Sequence, residues 1–330
     1  MIPGRHGYTN RAGRGTRLAG YASAVGAGAL WGTTGPLSTA LYAEGGELTG
    51  VGFWRVAVAT VLLLCIGLLR GARLGVDRQG LLVAGLAGGA LVALFEVSYQ
   101  FAIAGAGVAG ASALLYTAPV IVLILARLLL GERFTVARLA LAVLVTAGVF
   151  LTVRGGTGVA EMFSSREASL LAGVAGGLMA AVSYAGTTLI ARWAVPRYGS
   201  ARVLFLELAG GTLILGLLLP LAHRSPAPPA TAGGWLYVTL LALGAVLGAN
   251  FLFFAALKRI EAAPAAVAAT VEPVVGTILA LVLFAQALTP GGWAGLAIVV
   301  LAVSGGYLLE ARMARGERRP RDRGADPGRA

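Results

Sequence analysis

The sequence predicts an all-α integral membrane protein: ten transmembrane helices arranged as two inverted five-helix repeats. Three observations carry this. Charged residues make up only 12% of the 330 and apolar residues 58%, where a soluble domain carries about 25% charged residues. Apolar runs long enough to cross a hydrocarbon core of about 30 Å recur down the whole chain. The second half also repeats the layout of the first.

The spans follow in order at 20–42, 51–69, 80–103, 107–130, 136–153, 169–191, 202–222, 234–257, 263–286 and 291–309. Helix is the expected element because every backbone polar group must be satisfied inside lipid. The arginine-rich N-terminus is followed by an apolar run too long for a signal-peptide core, so that run reads as the first span. Most links are short, such as "AGAG" at 104–107 and "LTPGG" at 288–292. Thr289 and Pro290 suit a cap and a first-turn proline for the last span. "HRSPAPPATAGG" at 223–234 is the most loop-like internal stretch, and the charged tail 310–330 is expected to be disordered.

The net charge of +12 sets the orientation. With the N-terminus inside, 22 of the 26 basic residues fall on cytoplasmic segments. Arg154, Arg166 and Arg224 fall outside, and Arg55 lies within the second span. That asymmetry follows the positive-inside rule, and ten spans return the C-terminus to the cytoplasm. The charge is therefore read as facing anionic lipid, with no nucleic-acid partner. The arginine-, alanine- and glycine-rich composition points to a bacterial cytoplasmic (inner) membrane.

Several chemistries are excluded. Cys65 is the lone cysteine, so no disulfide framework or cysteine metal site forms within the chain. The histidines, His6 and His223, and the aspartates, Asp77, Asp322 and Asp326, all lie outside the spans. An intramembrane Ser–His pair, metal site or aspartyl dyad is then hard to build, and no H-E-x-x-H occurs. No G-x-x-x-x-G-K-[ST] phosphate loop is present for ATP. No cofactor and no metal are expected, and oligomeric state is unreadable.

The repeat emerges on sliding the chain along itself by 154 residues. Pro119 in "YTAPVI" then falls on Pro273 in "TVEPVV", Thr135 on Thr289 and Tyr99 on Phe253. Five spans per half is an odd number, so the halves insert in opposite senses. In such carriers the site lies near the midplane between the repeats and uses interrupted helices. The expected organisation is a basic tail (1–19), a first repeat (20–153), an external linker (154–168), a second repeat (169–309) and a second tail (310–330).

"ALWG" (29–32), "FWR" (53–55) and "APVIVLILARLLLGERFT" (118–135), with its partial copy "EPVVGTILALVLFAQALT" (272–289), carry a family resemblance. The chain resembles a ten-span, EamA-type member of the drug/metabolite transporter superfamily over about residues 20–310. In the second copy Ala285-Gln286 replaces Gly131-Glu132. The resemblance implies a central cavity lined mainly by spans 1, 3, 4, 6, 8 and 9.

Polar residues inside the spans are the candidate site, since a charge at the bilayer centre costs about 2.5–3.5 kcal/mol on insertion scales. Glu272 precedes Pro273, whose ring should kink the ninth span. It is the first candidate to bind a substrate amine or a proton. Glu96, Tyr99 and Gln100 form a polar stripe on span 3, and Asn250 is the counterpart of Glu96 on span 8. Trp31, Tyr116 and Tyr184 are the aromatic candidates. Ser112, Tyr116 and Pro119 share a face of span 4, where Pro119 should kink the helix. Arg55 and Glu207, near the ends of spans 2 and 7, are expected to snorkel to the interfaces. Glu132 and Arg133 are expected to be structural residues of a cytoplasmic turn. "GALWG" (28–32), "GVAGG" (173–177) and "GAVLG" (244–248) carry the G-x-x-x-G spacing of close helix crossings.

The function expected is a secondary transporter that exports small metabolites, amino acids or amphipathic drugs by alternating access, with protons as a candidate coupling ion. A lipid or glycolipid flippase on the same fold is the alternative. An intramembrane enzyme is disfavoured by the missing chemistry above.

Overall fold

A computed structural model describes residues 14–71, 75–154, 167–224, 226–284 and 289–316. Among these residues every regular element is helical. The chain runs through α1 (Arg14–Gly32), α2 (Thr34–Ala43), α3 (Leu48–Leu69), α4 (78–115), α5 (Ala118–Leu130) and α6 (Val136–Arg154). The second half holds α7 (Glu167–Tyr198), α8 (Ser200–Leu221), α9 (Ala232–Leu257), α10 (Ala262–Ala269), α11 (Glu272–Phe284) and α12 (Pro290–Gly316). These make the ten spans. Spans 1, 4 and 9 are each built from two helical pieces.

Helix packing shows the two-repeat symmetry. α3 packs on α8 and α6 on α12, each pair joining equivalent spans of the two halves. α1 against α9 is the image of α7 against α4. On the α3–α8 crossing the hydroxyls of Thr60 and Thr212 bond across 3.1 Å. Inside lipid, such crossings are held by close packing and hydrogen bonds rather than by expulsion of water.

Several expected boundaries move: α1 begins at Arg14 and α7 runs on to Tyr198, past the limits expected at 20 and 191. Helical turns persist through "AGAG" at 104–107, which lies within Gly89–Leu115. The chain nevertheless reverses there. A Cβ on Gly176 would lie 2.9 Å from the Ala102 nitrogen, and one on Gly177 2.5 Å from Leu114. A straight helix would hold Ala102 and Leu114 about 18 Å apart. The small residues of this stretch thus make the turn between spans 3 and 4 without leaving helical geometry. At the other end α12 continues to Gly316, past the expected limit at 309, so the first residues of the basic tail extend the helix. Residues 1–13 and 317–330 lie outside the described set, as do Ala285 and Gln286.

Candidate functional site

Three spans break at the same chemistry. Span 1 is interrupted at Thr33, span 4 at Tyr116-Thr117 and span 9 at Thr270-Val271, each just before a proline: Pro36, Pro119 and Pro273. Proline lacks the N–H that would continue the ladder. At each break a threonine folds back on the carbonyl three residues before it, with its N–H as well as its hydroxyl. The Thr33 hydroxyl donates to Leu30 O (2.7 Å), that of Thr117 to Leu114 O (2.7 Å), and that of Thr270 to Val267 O. The breaks at 116–117 and 270–271 lie just before Pro119 and Pro273. The break in span 1 was missed, although "TTGP" at 33–36 carries the same threonine–proline signal.

The breaks meet because glycine lets them. Gly28 and Gly32 of "GALWG" face the interruption of span 9. A Cβ on Gly28 would lie 2.1 Å from Ala269 O, and one on Gly32 2.7 Å from Glu272 O. Only glycine allows α1 to seat the uncoiled turn at that distance.

Around these breaks lies a cavity of about 600 Å³. Trp31, Glu96, Tyr116, Tyr184, Asn250, Glu272, Pro119 and Pro273 all line it. Gln100 continues α4, but its side chain, like that of Ser112, lies outside what is described. The Tyr116 hydroxyl is within interaction range of the Glu272 carboxyl. Trp31 stands edge-on to Tyr184, centroids 5.9 Å apart, and tilts against Phe253 at 5.3 Å. The amide nitrogen of Asn250 donates to Val246 O at 2.7 Å within its own helix.

Two expectations fail here. Arg55 does not snorkel to an interface: its guanidinium donates to Glu96 at 2.6 Å across the cavity wall. Glu207 does not snorkel either. It is 3% exposed, and its Oε1 has no hydrogen-bond partner among the described residues. Both line the cavity, as does Tyr42. A charge seven residues from a helix end lies about 10 Å inside. Position along the sequence could not say whether lipid, water or a partner would be met there.

The two ends of the bundle are closed differently. At one end Glu132, in the turn after α5, accepts from Arg192 Nε at 3.0 Å and from the Ala262 N–H at 2.9 Å, so it caps α10 of the other repeat. Arg192 also donates to Leu257 O, and Arg138 pairs with Glu261. Burial pushes the Glu132 carboxyl above the usual range, while Arg192 pulls it back. Gly131 supplies the positive φ, +68°, that ends α5 and turns Glu132 toward this cluster. Glu132 is thus a structural residue, as expected, but one that spans the repeats. At the other end Thr231 donates to Glu44 at 2.7 Å and Trp54 to Pro226 O at 3.1 Å. No ionic cluster occurs there among the described residues.

The spans themselves agree with a membrane location. Among the described residues six helices are long and apolar enough to cross a bilayer. Ala118–Leu130, Val136–Thr152 and Ala262–Gly276 are shorter apolar helices. The lone cysteine, Cys65, is exposed. No group of three or more His, Cys, Asp or Glu side chains able to hold a metal occurs among the described residues.

Comparison with known proteins gives three findings. The EamA-like transporter family matches residues 18–154 and 171–306, one match for each half. Two curated relatives, both pseudopaline exporters CntI from strains of Pseudomonas aeruginosa, are 33% identical over 203 residues. That alignment covers 61% of this chain and 65% of each relative. A solved crystal structure, 20% identical, superposes with a TM-score of 0.71 over 89% of this chain and 98% of its own. That likeness shows the fold. With both halves matched and the broken helices meeting at a central cavity, the chain belongs to the EamA-like transporter family.

Proposed function

We propose that the protein is a secondary transporter that exports a small polar metabolite across the bacterial cytoplasmic membrane by alternating access. The carrying observation is the cavity at the junction of the repeats. It sets the Arg55–Glu96 pair, Glu272 and Tyr116 among three interrupted helices. Such a wall suits a solute with both cationic and anionic groups. Arg55 faces an acid group, and Glu272 with Tyr116 and Asn250 faces an amine. Trp31 and Tyr184 supply apolar faces for the rest of the molecule. The relatives named as pseudopaline exporters support export as the direction, and the missing ATP-binding loop supports secondary drive.

The distribution of arginine supports cytoplasmic termini. The ionic cluster of Glu132, Arg192, Arg138 and Glu261 then lies at the cytoplasmic end, and the conformation described is closed on that side. Two five-span units, 20–153 and 169–309, rock about the axis through Thr60 and Thr212.

The test is flux from proteoliposomes loaded with labelled pseudopaline, amino acids or amphipathic cations, with and without a pH gradient. Glu272→Gln is compared with wild type. Wild type is expected to move at least one amine-bearing solute well above empty liposomes, and Glu272→Gln to lose most of that flux. Absence of flux for every solute in wild type overturns the reading.

A further inference from the structure

Glu207 stands apart from every other ionisable group in the cavity. It is 3% exposed, yet it lines the same cavity as Glu272. Its Oε1 has no hydrogen-bond partner among the described residues. No ion pair reaches it among the described residues. From α3 the charged side chain is Arg55, already committed to Glu96 of α4. α7 brings Tyr184, and α9 brings only Asn250, which is bonded to its own helix.

The carboxyl also lies on a contact between the two repeats. Gly88 of α4, in the first repeat, packs directly on the Glu207 stem in the second. A Cβ on Gly88 would lie 2.8 Å from Glu207 Cγ. Next to it, a Cβ on Gly210 would lie 2.1 Å from Gly85 O. Glycine backbones thus close a tight slot around an acid, between the two bodies that must shift in alternating access. Glu207 sits about 10 Å along α8 from the end nearest the ionic cluster, so it belongs to the floor of the cavity. Arg55 and Glu96 lie nearer the opposite end.

We propose that Glu207 is the coupling proton site of this carrier, separate from the substrate-facing Glu272 and from the Arg55–Glu96 pair. The proposal rests on the transporter reading. A carboxylate held in this slot with no cation is strongly disfavoured over the neutral acid. Closing the slot therefore requires the proton. From the cavity side a hydronium gives its proton to the carboxylate, leaving water and the neutral acid. When the α4–α8 contact opens toward the cytoplasm, water solvates the carboxyl and takes the proton back. One proton enters for each outward substrate step, and an unprotonated carrier is hindered from closing. The Arg55–Glu96 pair is set apart from this role, because its acid is already committed to a cation. Glu272 has Tyr116 beside it and is free to hold a substrate amine.

The experiment is infrared difference spectroscopy of the purified full-length protein in lipid, in the carbonyl-stretch region of protonated carboxyl groups, at neutral pH in H₂O and D₂O. No substrate is needed. Wild type and Glu272→Gln are expected to show a protonated-carboxyl band that Glu207→Gln lacks. A wild type with no such band, or a band lost in Glu272→Gln and kept in Glu207→Gln, overturns the proposal. If Glu207→Gln does not fold, Glu96→Gln, Glu132→Gln, Glu261→Gln and Glu272→Gln decide by elimination. A band lost in any one of these places the proton there and overturns the proposal, whereas a band that survives all four and shifts in Glu207→Asp stays with Glu207. A Glu207-dependent band in a protein that moves no solute would sink the transporter reading while leaving the proton site intact.

Discussion

Arg55 of α3 and Glu96 of α4 form an ion pair of 2.6 Å in the wall of a central cavity, with side chains 16% and 8% exposed. Both charges come from the same repeat, so the pair braces the wall without tying the repeats together. Breaking a buried pair by removing one partner costs about 3–5 kcal/mol, whereas replacing both by apolar groups of similar size is near neutral. Glu96→Ala and Arg55→Ala should each lower the thermal midpoint in detergent, and Arg55→Met with Glu96→Leu should recover most of it. A double variant as unstable as the sum of the singles would show that the pair does not act as a unit.

The crossing of α1 over the break in span 9 depends on Gly32. Its added Cβ would meet Glu272 O at 2.7 Å and Val275 Cβ at 2.8 Å. Overpacking of this kind costs about 1–3 kcal/mol. Gly32→Ala should destabilise by that amount and reduce flux of any transported solute. Gly244→Ala, where nothing lies within 4 Å, should do neither. Comparing the two midpoints by fluorescence-detected unfolding checks this.

The ionic cluster around Glu132 should hold one end shut. Glu132→Ala removes the acceptor of both Arg192 and the Ala262 N–H. With Cys65→Ser as background, a Thr188→Cys probe in the cavity wall should react with a membrane-impermeant maleimide from the Arg192 side several-fold faster when Glu132→Ala is added. Equal rates would mean that the cluster is not the closure.

Asp77 precedes α4 and accepts from the Gly80 N–H at 2.7 Å and the Tyr198 hydroxyl at 2.8 Å. These bonds, the Gly80 one first, hold its carboxyl below the usual range. The folded value is lowered, so its contribution is full above the ordinary aspartate range and is lost as pH falls through the folded value. Asp77→Asn keeps a capping side chain but cannot titrate. The difference in thermal midpoint between wild type and Asp77→Asn should shrink below the carboxylate range and stay constant above it.

Much of this molecule is local chemistry and was legible in the chain. Apolar runs of span length, five per half, dictate helices in lipid, because no other open element satisfies its own backbone there. Pro119 and Pro273 dictate kinks wherever their helices pack. Glu272, Glu96, Tyr116, Trp31 and Tyr184 stood out because polar or aromatic groups inside a span need a partner. The break at Thr33 was equally local, since Thr33 and Pro36 stand inside span 1 in the same order as Thr117 and Pro119 in span 4. The fates of Arg55 and Glu207 were not local. Each lies about two turns inside a helix, where the same side chain can reach water, find a partner or be shut in. Which of these occurs depends on the neighbouring helix. Glu96 happens to face Arg55, and the glycines at 85, 88 and 210 bring α4 and α8 close enough to seal Glu207 in. The bond from Glu132 to Ala262 joins residues 130 positions apart. Only the closure of the two repeats on each other could bring that acid to the end of α10, because helix propensity and hydropathy act within a few turns, whereas packing acts between any two surfaces that meet.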